Sequence, residues 1–241
     1  TDGIDVDSST WVLIENCDID CNDDNFCLKA GRDWDGLRVN KPTEYVVIRN
    51  SIARRGAGLV TIGSETSGGI RHIYCTDLVA KHTDNGLRIK SATTRGGIIE
   101  DIYFVNSILD SVRNAFQCNL NWYPAYSYSA LPKGYNYDSL PQHWKALLEK
   151  VTPPGKGIPF ARNFYIENAT VTNAQKIFDV KGLPQSLLEN FNFSNSSISA
   201  KEFGAIEYTK GWIFRNFDCS IFSKDEKRQP GNMEEQERLK Q

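Results

Sequence analysis

The chain reads as an all-β protein, a parallel β-helix built as one domain. Three observations carry that expectation: a strand-length apolar alternation that keeps returning, an Asn or Asp closing each return, and no helix-length segment between returns.

The recurring unit is apolar, any, apolar, any, Asn/Asp. It runs Val12, Ile14, Asn16; then Val46, Ile48, Asn50; Ile73, Cys75, Asp77; and Ile102, Phe104, Asn106. It returns as Phe164, Ile166, Asn168; Phe191, Phe193, Asn195; and Trp212, Phe214, Asn216. The intervals between closing residues are 34, 27, 29, 62, 27 and 21, so 62 is two turns' worth or one turn plus an insertion. Period-two alternation marks each unit as a strand with one buried face. An apolar residue soon after (Ile19, Ile52, Val79, Ile108, Val171, Ile198, Ile221) starts a second short strand. The missing helices argue against βαβ units, and leucine-rich and propeller signatures are also absent. Each closing Asn sits at a bend, where it tolerates left-handed backbone, and stacking aligns these residues into a ladder.

The β-helix domain is expected over residues 1–223, with one long loop at about 117–160. That loop holds Trp122, Tyr123, Tyr126, Tyr128, Tyr135, Tyr137 and Trp144, with one or two helical turns around Gln142 to Lys150. Its aromatics either stack on sugar rings or pack the loop onto the coils. Residues 224–241 read as a charged, disordered tail.

With 28 basic and 30 acidic residues the net charge is −2, so no basic field recruits nucleic acid. No apolar run reaches membrane-spanning length. Six scattered cysteines form neither a disulfide framework nor a zinc site, and most are expected to be buried. No phosphate-binding glycine loop, nucleophile elbow or metal-ligand spacing appears, so no cofactor and no metal are expected.

Stacked coils bring equivalent offsets to about 4.8 Å of one another. Seven and eight residues after the marker stand Asp23 and Asp24, then Ala57 and Gly58, then Asp84 and Asn85; at thirteen stand Lys29 and Lys90. One flank therefore carries carboxylates with Lys29, Arg88 and Lys90 alongside, the combination for acid/base hydrolysis of an anionic sugar. A solvated acidic loop or a calcium site at Asp18, Asp20, Asp23 and Asp24 is the alternative, although an EF-hand fails because Asp23 and Lys29 occupy its glycine and glutamate positions.

Thr1-Asp-Gly-Ile-Asp5 resembles the NTDG-type motif of the family 28 glycoside hydrolases, the polygalacturonases and rhamnogalacturonan hydrolases, without its Asn. Asp23-Asp24 resembles that family's paired aspartates, and Arg88-Ile89-Lys90 matches its RIK motif. GSETSGGI and DGLRVNKP resemble bacterial exo-acting members, and the resemblance runs from Thr1 to about Ile221. Ala57 stands where the family carries a histidine, and only His72, His82 and His143 exist to replace it.

The resemblance implies a right-handed, single-stranded parallel β-helix of the pectin lyase-like kind. It implies inverting hydrolysis of α-linked galacturonic acid in pectic polysaccharide or oligosaccharide, exo-acting, at a secreted or periplasmic location. Asp23 would be the general acid, with Asp2 and Asp24 holding and deprotonating water at the roughly 6.5–9.5 Å that inversion needs. Arg88 and Lys90 would bind the galacturonate carboxylate, with Lys29 and then Arg32 as weaker candidates. Tyr123 matches a substrate-contacting tyrosine, and Trp122 is its rival. N-terminal coils and a cap are expected in a full enzyme, so a missing N-terminal segment or a partner chain is expected to cover the open end. Two other readings stay open: a calcium-dependent pectate or rhamnogalacturonan lyase, and a non-catalytic carbohydrate-binding solenoid.

Overall fold

In a computed structural model, the structure describes residues 1–222 and the two-residue strand Arg238–Leu239, which pairs antiparallel with Cys219 and Ser220. The tail expectation for 224–241 otherwise lies outside the described residues. No helix among the described residues is long and apolar enough to cross a membrane.

Apart from that strand, every pairing between named strands is parallel and joins one coil to the next. The coil is a triangle of three strand positions. The marker strands form one wall, in which Ile14, Ile48, Cys75, Phe104, Ile166, Phe193 and Phe214 share a single register row. Phe164 stacks on Phe191 at 4.2 Å and Phe191 on Trp212 at 4.5 Å, continuing a neighbouring row. Fully burying each such side chain contributes roughly 1.5–3 kcal/mol, which is what holds a sheet of this curvature closed.

The closing residues behave as the repeat predicts. Asn16, Asn50, Asp77, Asn106, Asn168, Asn195 and Asn216 all have φ between 48° and 57°. Asn168 Nδ2 donates to Asn106 Oδ1 at 2.7 Å and Asn216 Nδ2 to Asn195 Oδ1 at 2.9 Å. The residues after each bend are less uniform. Ile19, Val171 and Ile198 share the inward row of Ala53, Ala80 and Leu109, whereas Ile52, Val79 and Ile108 sit one register position earlier and Ile108 is half exposed.

Two interruptions decide the irregular intervals. Helix α1 (Asp33–Val39) lies between strands Asp24–Lys29 and Thr43–Ala53, a helix the repeat did not predict, and it lengthens the first interval. The 62-residue interval is one turn plus an insertion, because strand Ile98–Val105 pairs directly with Phe160–Glu167. Strand Asn114–Asn119 keeps register with Asn85–Lys90, so the loop opens at Leu120 rather than 117. It contains α2 (Pro124–Ser127) and α3 (Gln142–Leu148).

Polar anchors pin the loop to the coils. Arg32 Nη2 donates to the Ser127 carbonyl at 2.9 Å, and the Tyr128 and Thr93 hydroxyls lie 2.7 Å apart. Beneath them Asp33 pairs with the fully buried Arg95, whose Nε donates to the Ser64 carbonyl at 3.0 Å.

Candidate active site

The second wall is made by strands Ile4–Asp7, Asp24–Lys29, Gly58–Ile62, Asn85–Lys90 and Asn114–Asn119, followed by the C-terminal half of Thr170–Lys181. Phe26, Val60, Leu87, Phe116 and Phe178 are buried along one register row, so the residues that follow them in sequence stand outward. That outer row reads Asp5, Cys27, Thr61, Arg88, Gln117, Asp179.

Asp24 is 1% exposed, yet both its oxygens are satisfied. Arg88 Nη1 donates to Oδ1 at 3.0 Å and Lys90 Nζ to Oδ2 at 2.7 Å. These donors stand two coils away, so the carboxylate reaches across the intervening coil at Gly58, its register partner. A Cβ on Gly58 would meet Thr61 Oγ1 at 2.4 Å and Asp24 Oδ1 at 3.0 Å. The glycine is there for space rather than for backbone conformation.

Asp23, next to it, faces solvent, and its Oδ1 accepts the Asp24 N–H at 2.9 Å. The Ala57 N–H donates to the Asp23 carbonyl at 2.8 Å, and Gly56 bridges Thr83. Asp23, Ala57 and Asp84 therefore align as their shared offset predicts. Asp84 is taken by Arg113 at 3.1 Å and leaves Arg88 to Asp24.

Asp2 occupies the adjoining coil, where the Gly3 N–H donates to the Asp24 carbonyl at 2.8 Å. Lys29 Nζ binds Asp2 Oδ2 at 2.8 Å and Asp5 Oδ1 at 2.7 Å. Burial alone would push the Asp2 carboxyl up, but Lys29, through its hydrogen bond and its charge, outweighs that and holds it below the usual carboxylate value. Burial opposes the Lys29 cation in turn, and Asp2 and Asp5 reverse the balance and raise it. Lys29 is thus committed to the acids of its own coil pair, and Asp5, in the same TDGID run, was the partner the offsets did not single out. Asp2, Asp5 and Cys27 also bring ligand-type atoms within 4.8 Å of one another, but Lys29 already occupies the two carboxylates.

Trp122 takes the aromatic position over the cations, with Lys90 Nζ 4.7 Å and Arg88 Cζ 5.7 Å from its ring centroid. Tyr123 is 61% exposed and touches Trp122 edge-on rather than the cations. Arg32 is spent on the loop and Asp33. His82 lies beside Asp110, and His72 stacks on Tyr45, so neither stands in for the residue at 57.

The suspected calcium cluster does not converge. Arg54 grips Asp18 through both oxygens at 2.7 and 2.6 Å, and Arg55 grips Asp20 at 3.0 and 2.9 Å. With Asp24 held by Arg88 and Lys90, three of the four carboxylates already have their own cations.

The family model described as Glycosyl hydrolases family 28 matches residues 1–127. A probable polygalacturonase of Vitis vinifera is 37% identical over 123 residues, covering 51% of this chain and 25% of that protein. An endo-polygalacturonase of Pectobacterium carotovorum subsp. carotovorum is 33% identical over 112 residues, covering 46% and 26%. The aligned part thus spans about a quarter of these relatives' length. Among solved structures, a hyperthermoactive exopolygalacturonase from Thermotoga maritima superposes with a TM-score of 0.64 at 24% identity, over 92% of this chain and 43% of that one. A family 28 exopolygalacturonase from Yersinia enterocolitica gives 0.66 at 21%, over 90% and 36%. The shared fold is the right-handed parallel β-helix.

Proposed function

The chain belongs to the glycosyl hydrolases of family 28, and from that premise we propose that it hydrolyses α-linked galacturonic acid bonds in pectic polysaccharide or oligosaccharide, with inversion and from a chain end. The observation that carries this reading is the buried Asp24 carboxylate held by Arg88 and Lys90 beside solvent-facing Asp23.

Asp23 is the general acid and protonates the glycosidic oxygen as its bond to the anomeric carbon breaks. Water attacks that carbon from the opposite face and gives its proton to Asp24 or Asp2, which leaves the inverted sugar and a free hydroxyl on the departing unit. Asp2, held below the usual carboxylate value by Lys29, orients this water as a charged acceptor. Arg88 and Lys90 supply the positive charge for a galacturonate carboxylate, and Trp122 offers the ring face beside it. Exo action is supported by the long loop that brings Trp122 to the cations and by the two exo-acting structural relatives. A pectic substrate outside the cell fits the polygalacturonase relatives and a secreted or periplasmic site of action.

The test is release of reducing ends from polygalacturonate and from rhamnogalacturonan oligosaccharides in EDTA. Asp23→Asn is expected to lower the rate by about 10²-fold or more. A folded chain that binds oligogalacturonate but releases no reducing ends would sink the hydrolase and favour a binding solenoid. An ultraviolet-absorbing unsaturated product would favour a lyase.

A further inference from the structure

Arg88 does more than meet Asp24. Its Nε donates to Gln117 Oε1 at 2.9 Å, and Gln117 Nε2 donates to Asp179 Oδ2 at 2.9 Å. Arg88, Gln117 and Asp179 are direct register partners on three successive coils, so the relay runs straight along the wall at about 4.8 Å per step. Its far end, Asp179, lies beyond the long loop in sequence and is solvent-exposed, whereas the Arg88 side chain is 12% exposed.

The chemistry of the relay is directional. A carboxylate only accepts, so Asp179 draws the amide NH2 of Gln117 towards itself and turns the amide oxygen to Arg88. Reversed, the amide would set donor against donor at Arg88 Nε. With Nε held by Gln117 and one Nη1 hydrogen by Asp24, the guanidinium plane is fixed at two points. Among the described residues no hydrogen bond is made by Nη2, which leaves it to donate to the oxygen of a carboxylate.

We infer that Gln117 and Asp179 are positioning residues that fix the Arg88 guanidinium so that its Nη2 meets the carboxylate of an anionic sugar. The inference rests on the reading of the site given under Proposed function and adds two residues to it. It also separates two effects of opposite sign. As a bare negative charge near an anionic substrate, Asp179 would weaken binding, and removing it would lower KM. As a positioning residue it strengthens binding, and removing it raises KM.

The experiment compares Asp179→Leu with Asp179→Asn in the full chain, both at an exposed position. One readout is KM and kcat on oligogalacturonate; the other is the Arg88 Nε–H cross-peak in 15N-1H spectra, assigned by its loss in Arg88→Lys. Asp179→Leu is expected to raise KM about threefold to tenfold, the scale of one lost hydrogen bond, and to shift or broaden the peak. Asp179→Asn keeps an acceptor and is expected to preserve both. A KM that falls or stays put in Asp179→Leu, or a peak that does not move, overturns the inference. If the wild type releases no reducing ends, the proposed function fails by itself, and the cross-peak still decides whether the relay holds Arg88.

Discussion

At the scale of single residues, the site depends on one missing side chain. Asp24 lies two coils from its cations, and only Gly58, between them, leaves its carboxylate room to cross. Gly58→Ala is therefore expected to do two things. The added methyl meets Thr61 Oγ1 and Asp24 Oδ1, which costs about 1–3 kcal/mol of strain. It also pushes Asp24 off Arg88 and Lys90, so turnover should fall much further than stability does. A urea midpoint and a reducing-end assay on one preparation separate the two, and unchanged turnover would mean that Asp24 needs neither cation. The shared offset of Asp24, Gly58 and Asn85 was legible in sequence. What Gly58 is for was not, since it follows from a distance between coils.

At the scale of elements, the bends are set by local chemistry that each Asn carries with it. Asn106 has φ 52° and accepts from Asn168 Nδ2, so it both relieves the left-handed backbone and joins two coils separated by 62 residues of chain. Asn106→Ala is expected to destabilise the fold by about 1–2 kcal/mol, because alanine lacks the side-chain bond and resists positive φ. Asn106→Gly should cost less, since glycine adopts that backbone freely. Equal losses in chemical denaturation would shift the weight to the side-chain ladder. The strand cores and bends were legible because both are short-range patterns. Helix α1 was not, because its seven residues include Gly36 and offer one apolar pair at helical spacing, Trp34 and Leu37, too short a pattern to mark a helix. The loop's attachment was equally hidden: Asp33, Arg95, Arg32 and Ser127 meet only after three coils have stacked.

At the scale of the molecule, ion pairs join successive coils on more than one wall. The Asp2, Asp5 and Lys29 group links the outer coils, and its titration sets a pH window. Asp2 is lowered from 3.8, so its contribution is complete above that value and is lost as pH falls through the lowered folded value. Lys29 is raised from 10.5, so its contribution is complete below that value and is lost only as pH rises past it. The stability difference between wild type and Lys29→Met is thus expected to be flat around neutral pH and to shrink on acidification, beginning above 3.8 because burial raises the Asp2 carboxyl once Lys29 is gone. Urea unfolding at pH 3 and pH 7 checks this, and a difference that grows on acidification would overturn the assignment.

The amino-acid sequence by itself determined the coil, its bends, the inward row of the marker strands and the offsets that align Asp23 with Ala57 and Asp84 and Lys29 with Lys90, because each repeats a local pattern of burial and backbone preference. Tertiary structure alone decided which charges pair: Asp24 with Arg88 and Lys90, Lys29 with Asp2 and Asp5, and Trp122 rather than Tyr123 over the cations. An offset states that two residues share a flank. The partner each one takes depends on side-chain reach across a coil spacing of about 4.8 Å, and on which intervening residue leaves the way open.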